Sequence, residues 1–272
     1  MSTATTVTTP GRAAVRTPRM LLGFVVIFSV FEGAGFALAG APAAARLFAV
    51  STIAIITTLV VQGLVTGERG RPLLRSLGVT APSRDGVGLG AGPGAGSPAA
   101  LLAAGVIGLG LIACYPMLSA LTGVRWATGV STWALLGVYA QNGIAEEMLI
   151  RGYLYRHLRA RRGFGRAVLQ VVVVHAAAHA LLIPVVGVGV ALSAMVVAGL
   201  IALPYAAFFE RGGATIWPTA VLHGTSDTIM LLLPASGSSS PGALPALLGW
   251  FALIGLAPYL VLLLPRRWFT PL

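Results

Sequence analysis

The sequence predicts an all-α fold, a polytopic membrane helix bundle of about eight transmembrane helices, from three observations. Hydrophobic residues fill 57% of the 272 positions and charged residues only 9%, against about 25% charged in an average soluble chain. The mean hydropathy is +0.89. Apolar runs recur that reach the roughly 20 residues a helix needs to cross the hydrocarbon core. They fall at 20–39, 47–65, 98–121, 132–153, 167–183, 185–209, 216–233 and 243–264. Four segments follow: an N-terminal tail over 1–19, spans one to three over 20–126 with a loop at 66–97, a core of spans four to seven over 127–240, and span eight with the C-terminus over 241–272.

Span one follows Arg12, Arg16 and Arg19 and ends in Ala37-Leu38-Ala39, a pattern similar to a cleavable signal peptide. It is expected to be retained, because the later spans need it for a consistent topology. Arg69, Arg71, Arg75 and Arg84 follow span two. The Gly-rich stretch 86–97 resembles a phosphate loop only superficially: it lacks a GK[ST] ending and no strand precedes it. It reads as a flexible entry to span three. Arg156, Arg159, Arg161, Arg162 and Arg166 separate spans four and five; Arg211 follows span six, and Arg266 and Arg267 follow span eight. Trp126, Trp133, Trp217, Trp250 and Trp268 fall mostly near span ends, where amphipathic rings favour the headgroup level.

The net charge of +11 could suggest a nucleic-acid partner, but its placement excludes one. Every basic residue is arginine, and fifteen of the eighteen lie on one side if both termini are cytoplasmic. Arg46 and Arg125 are left outside, and Arg151 lies within a span. That is the positive-inside pattern of an integral membrane protein. The lipid bilayer is therefore the expected surroundings, and the Arg-only, Ala/Gly-rich composition points to a bacterial cytoplasmic membrane. The single Cys114 excludes a disulfide framework and a cysteine metal cage.

The chain holds seven acids and four histidines, and six of these eleven form three pairs inside apolar runs: Glu146/Glu147, His175/His179 and His223/Asp227. An ionisable side chain at bilayer depth costs roughly 2.5–3.5 kcal/mol even on lenient insertion scales, so each is a functional candidate. Residues four apart share a helix face, which brings together Glu147 with Arg151, His175 with His179, and His223 with Asp227. Counted from the nearest arginine on the cytoplasmic side, Glu146, His179 and His223 lie roughly 15, 20 and 18 Å deep at 1.5 Å per residue. Three helices thus deliver polar groups to one layer. Taken singly, each pair has a structural reading: a helix-end ion pair, a packing histidine, a ring-orienting hydrogen bond. Glu32 in span one reads either as a substrate contact or as a helix-packing group.

The run Ala145-Glu146-Glu147-Met148-Leu149-Ile150-Arg151-Gly152 resembles the EExxxR motif of the CPBP intramembrane protease family, also called the CAAX protease, bacteriocin-processing or Abi family. His175-Ala176-Ala177-Ala178-His179 is similar to its FxxxH motif, with His175 standing at the aromatic position. His223-Gly224-Thr225-Ser226-Asp227 is similar to its HxxxN/D motif. The resemblance implies an intramembrane endopeptidase acting on a peptide or lipopeptide at the membrane. In eukaryotic relatives that means removal of the last three residues after a prenylated cysteine; bacterial relatives are linked to peptide maturation or self-immunity. It implies catalytic roles for Glu146, Glu147, Arg151, His179, His223 and Asp227, with His–Asn or His–Asp serving the oxyanion.

Peptide hydrolysis needs an activated water, a stabiliser for the oxyanion and a proton for the leaving amine. Glu146 is the expected base, with His179 as the second group on the water, while Glu147 pairs with Arg151. No cofactor is expected. The alternative is zinc held by His175, His179, His223 and Glu146 with one position left for water, although the HExxH of zinc proteases is absent. A transporter or proton relay could use the same groups, as could an immunity or scaffold protein that keeps the fold without turnover. Transport sites favour broken helices; Pro204 interrupts span six, while the three motif helices have no internal proline beyond their ends.

Overall fold

The computed structural model describes residues 16–80, 98–124, 127, 129–232 and 243–264. Among them no strand occurs, and the elements are α1 (Thr17–Ala37), α2 (Ala43–Thr66), α3 (Gly70–Ser76), α4 (Pro98–Thr122), α5 (Thr132–Val138), α6 (Arg156–Arg159), α7 (Phe164–His179), α8 (Ile183–Val186), α9 (Val188–Arg211), α10 (Trp217–Met230), α11 (Ala243–Leu256) and α12 (Leu260–Leu263). The stretch 86–97, Arg12, Arg84, Arg125, Trp126, Arg266, Arg267 and Trp268 lie outside the described residues.

Among the described residues, six stretches are long and apolar enough to cross a membrane: α1, α2, α4, α7 with its continuation to Leu182, α9, and Pro245–Leu263. They present exposed apolar side chains such as Leu22, Leu64, Leu102, Leu109, Val173 and Val196. In water such a surface would be a liability; facing lipid tails it is neutral. The all-α membrane bundle is therefore what forms. Pro204 does not break span six, since α9 runs unbroken from Val188 to Arg211.

The two remaining expected spans depart from the plain apolar helix, and both carry motifs. Span four is a rod in which α5 passes into π-helical stretches at Tyr139–Glu146 and Met148–Tyr155 before α6. Its start is fixed by Ser131, whose side chain accepts a hydrogen bond from the Ala134 N–H at 3.1 Å. The π winding widens each turn and is a recurrent feature of functional sites. Span seven is α10, with 14 residues. At 1.5 Å per residue it measures about 21 Å, short of the ~30 Å hydrocarbon core.

Protein groups hold α10 at both ends. Before its first turn, Ile216 N–H and Thr215 Oγ1 both donate to the Gly78 carbonyl at 3.0 Å, and Trp217 Nε1 donates to the Val79 carbonyl at 3.0 Å. Gly78 has φ +71°, and a Cβ there would stand 2.7 Å from the Ala214 carbonyl oxygen, so only glycine suits the position. Beyond the last turn, the Leu232 carbonyl accepts from Tyr115 OH at 2.8 Å and from the Ala127 N–H at 2.9 Å. A helix ending where water is absent needs such partners.

Two buried clusters flank the motif helices. One joins Met20, Phe24, Val61, Met148, Tyr153, Val168 and Phe209 from α1, α2, the rod, α7 and α9. The other joins Ala104, Leu111, Tyr115, Phe208, Leu222, Trp250 and Phe251 from α4, α9, α10 and α11. The rod and α10 are thus walled in by the apolar helices, which explains why their own faces can be polar.

The arginine-rich end of the rod is tied down by hydrogen bonds. Glu210 accepts from Tyr155 OH and from Arg159 Nε, each at 2.6 Å. Arg156 Nη1 reaches the Arg75 carbonyl at 2.9 Å. His157 Nε2 meets Gln62 Oε1 at 2.9 Å, and Gln62 Nε2 donates to Ser76 Oγ at 3.0 Å. Burial, then the nearby Arg156 and Arg161 charges, push the His157 imidazole down to about 4.

Candidate active site

The rod and α10 touch backbone to backbone. A Cβ on Gly143 would stand 2.8 Å from the Ala220 carbonyl oxygen, and a Cβ on Gly224 would lie 2.4 Å from the Tyr139 ring. Tyr139 OH and Thr225 Oγ1 share a hydrogen bond across the same seam. Glycines at these two positions let the acidic pair of the rod and the histidine of α10 approach each other.

Glu147 is fully buried, and its Oε1 accepts two hydrogen bonds at 2.8 Å, one from Arg151 Nη1 and one from His223 Nδ1. The Arg151 guanidinium also stacks over the Tyr205 ring, 4.8 Å from its centroid. With its Nδ1 proton given to Glu147, His223 turns Nε2 toward Asp227 Oδ2 at 3.6 Å and Glu146 Oε2 at 3.8 Å. The ring of His223 is therefore oriented by Glu147, where the sequence paired it with Asp227. Asp227 in turn accepts a hydrogen bond from Asn142 Nδ2 at 2.5 Å.

Glu146 occupies the opposite situation to its neighbour. It has no hydrogen-bond partner among the described residues, and its side chain is 19% exposed where that of Glu147 is 0%. It lines a cavity of about 320 Å³, shared with Asn142, His175, His179, His223 and Asp227. Five of the six expected catalytic residues accordingly meet at this cavity or at its wall through His223; Arg151 is held behind it by Glu147.

On α7, His179 Nδ1 donates to the His175 carbonyl at 2.9 Å, which leaves Nε2 as the ring atom able to accept a proton. The two rings meet edge to face at 5.0 Å. His175 is buried at 3% exposure, and its Nδ1 has no partner. The four residues named as zinc ligands all line the cavity, but among the described residues no three His, Cys, Asp or Glu side chains are gathered to hold an ion. The residues as arranged do not fit zinc.

Sequence reasoning passed over Asn142 and Tyr205. Asn142 had a signal: Gln141-Asn142 interrupts an apolar run one turn before Glu146. Tyr205 had none, since an aromatic in an apolar helix is ordinarily a core residue.

The family described as type II CAAX prenyl endopeptidase Rce1-like has a model that matches residues 127–229. No curated protein and no solved structure matches the chain. The matched stretch begins just before α5 and ends within the last turn of α10. It takes in all three motifs and leaves α1, α2, α4 and α11 outside.

Proposed function

With residues 127–229 carrying the pattern of the Rce1-like type II CAAX prenyl endopeptidases, a protease family, we propose that this chain is an intramembrane endopeptidase of that type, in which Glu146 activates the attacking water. The carrying observation is the division between two adjacent glutamates. Glu147 is held through Oε1 by Arg151 and His223, whereas Glu146 faces the cavity with no hydrogen bond. Like groups placed in unlike surroundings take unlike roles.

A water between the Glu146 carboxylate and His179 Nε2 would lose its proton to Glu146 as its oxygen attacks the scissile carbonyl. The oxyanion then forms at the N–H of His223 Nε2, with Asp227, itself held by Asn142, beside that ring. Collapse breaks the C–N bond, and Glu146 returns the proton to the leaving amine. Glu147 fixes the ring of His223 and, with Arg151, acts as a positioning residue. The reaction lies in the cytoplasmic half of a bacterial cytoplasmic membrane, because the motif layer is counted from loops whose arginines mark the inside. The substrate is a peptide or lipopeptide, and no metal takes part.

Reconstituted protein, offered a panel of prenylated and acylated peptides, should release product equally with and without chelator. Glu146→Gln should lose activity roughly 10²–10⁴-fold, the contribution typical of a general base, with unchanged thermal unfolding, and His179→Ala should follow it. Near-wild-type turnover in either variant would sink the assignment.

One observation favours a second reading. One π-helical stretch ends at Glu146 and another begins at Met148, so the winding changes at the acidic pair, and interrupted helices also serve proton relays. Proteoliposomes that carry protons across the bilayer and cleave no peptide would establish that reading instead.

A further inference from the structure

The cavity has a charge balance opposite to that of the chain. The protein carries a net +11, yet among the described residues no arginine lines the cavity, while three carboxylates do: Glu32, Glu146 and Asp227. Glu146 and Asp227 belong to the proposed machinery. Glu32 does not, and it arrives from α1, outside the stretch that matches the family. It lies 13 residues beyond Arg19, or roughly 20 Å at 1.5 Å per residue, which sets it in the layer of Glu146, His179 and His223.

Among the described residues Glu32 has neither a hydrogen-bond nor an ion-pair partner, and it lines the same cavity as Glu146. Its neighbours on the cavity wall are apolar: Phe28, Phe31, Val50 and Leu149. Helix packing does not account for a carboxylate that contacts no helix by a polar bond. A second cavity group is also short of a partner, since His175 is 97% buried with Nδ1 unmatched. An unpaired carboxylate in an apolar wall is stabilised when an opposite charge arrives.

Resting on the protease reading above, we infer that Glu32 is a specificity-determining residue that receives a cationic side chain, arginine or lysine, of the peptide substrate next to the scissile bond. Glu32 forms no bond to the reacting atoms. It sets which register of the peptide lies against Glu146, and it does so only for substrates bearing a basic residue.

The test is a library of palmitoylated nonapeptides in which each position in turn carries arginine or its neutral isostere citrulline, with products read by mass spectrometry. Wild-type protein in liposomes should cleave the arginine member at one register at least about tenfold faster than its citrulline twin, equivalent to about 1.4 kcal/mol. Glu32→Gln should reduce that ratio below about twofold while still cleaving citrulline peptides, and Glu32→Asp should retain the preference. Equal rates for the twins in wild type, or a preference that survives Glu32→Gln, would overturn the inference and leave the protease reading standing. No product from any peptide would overturn both. Equal wild-type rates overturn the inference whether or not a Glu32 variant folds, and Glu32→Asp serves as the folding control.

Discussion

Glu147 takes two hydrogen bonds on one oxygen, and Arg151 spreads one guanidinium over both Glu147 and the Tyr205 ring. Removing Arg151 strands a carboxylate that is fully buried. Arg151→Ala is therefore expected to lower stability by about 3–5 kcal/mol, the usual range for breaking a buried pair from one side. Thermal unfolding in detergent should show a clear drop in midpoint, and an unchanged midpoint would mean that water or another residue takes up the charge. At this scale the sequence was readable where helical spacing alone decides contact, as for Glu147 and Arg151. It was not readable where the partner comes from another helix. His223 has Asp227 on its own face, yet its 2.8 Å contact is Glu147 across the seam, with Asp227 at 3.6 Å. Asn142 on Asp227 is another such cross-helix bond.

The rod and α10 behave as one element because their backbones touch. Gly143→Ala would press a Cβ to 2.8 Å from the Ala220 carbonyl oxygen, where backbone must yield. A loss of about 1–3 kcal/mol, as for other overpacked sites, should accompany a fall in cleavage of more than about tenfold. The control is Gly33→Ala on α1, where nothing lies within 4 Å; it should leave unfolding and cleavage unchanged. Comparable losses in both variants would refute the seam.

The junction of the rod with α2 carries a pH dependence. His157 titrates at about 4 in the folded chain, against an ordinary 6.5. The unfolded chain therefore binds the proton first, and protonation favours unfolding. The stability held by neutral His157 is complete above pH 6.5 and is lost as pH falls toward 4. Unfolding midpoints between pH 7 and 4.5 should decline in wild type and decline less in His157→Gln; parallel curves would remove His157 as the cause. Elements were legible where length and apolarity agree, in the six lipid-facing helices. The π winding of the rod was not, because a change from i→i+4 to i→i+5 bonding leaves the apolar content that marks a span unaltered.

For the whole molecule, the arginine pattern predicts both termini on the cytoplasmic side. In a Cys114→Ala background, a cysteine placed at Arg75 should react with an impermeant thiol reagent only from the cytoplasmic side. One placed at Ser238 should react only from the opposite side. The reverse pattern would invert the topology and move the site to the other half of the bilayer. Bundle class could be read from composition because the solvent for most of the surface is lipid, which demands apolar side chains at exposed positions such as Leu102 and Leu109. The interior obeys no such rule, and there the cavity and its lining had to be seen. The short α10 has a further consequence. At 14 residues it gains too little from lipid to insert by its own partitioning, and its end groups are matched by Gly78, Val79, Tyr115 and Ala127. All four precede it in the chain, so a ribosome has already delivered the slot before α10 emerges. The helix that brings His223 then docks into a slot already made, and the cavity is closed only afterwards, when α11 adds Phe251 and Ile254 to its wall.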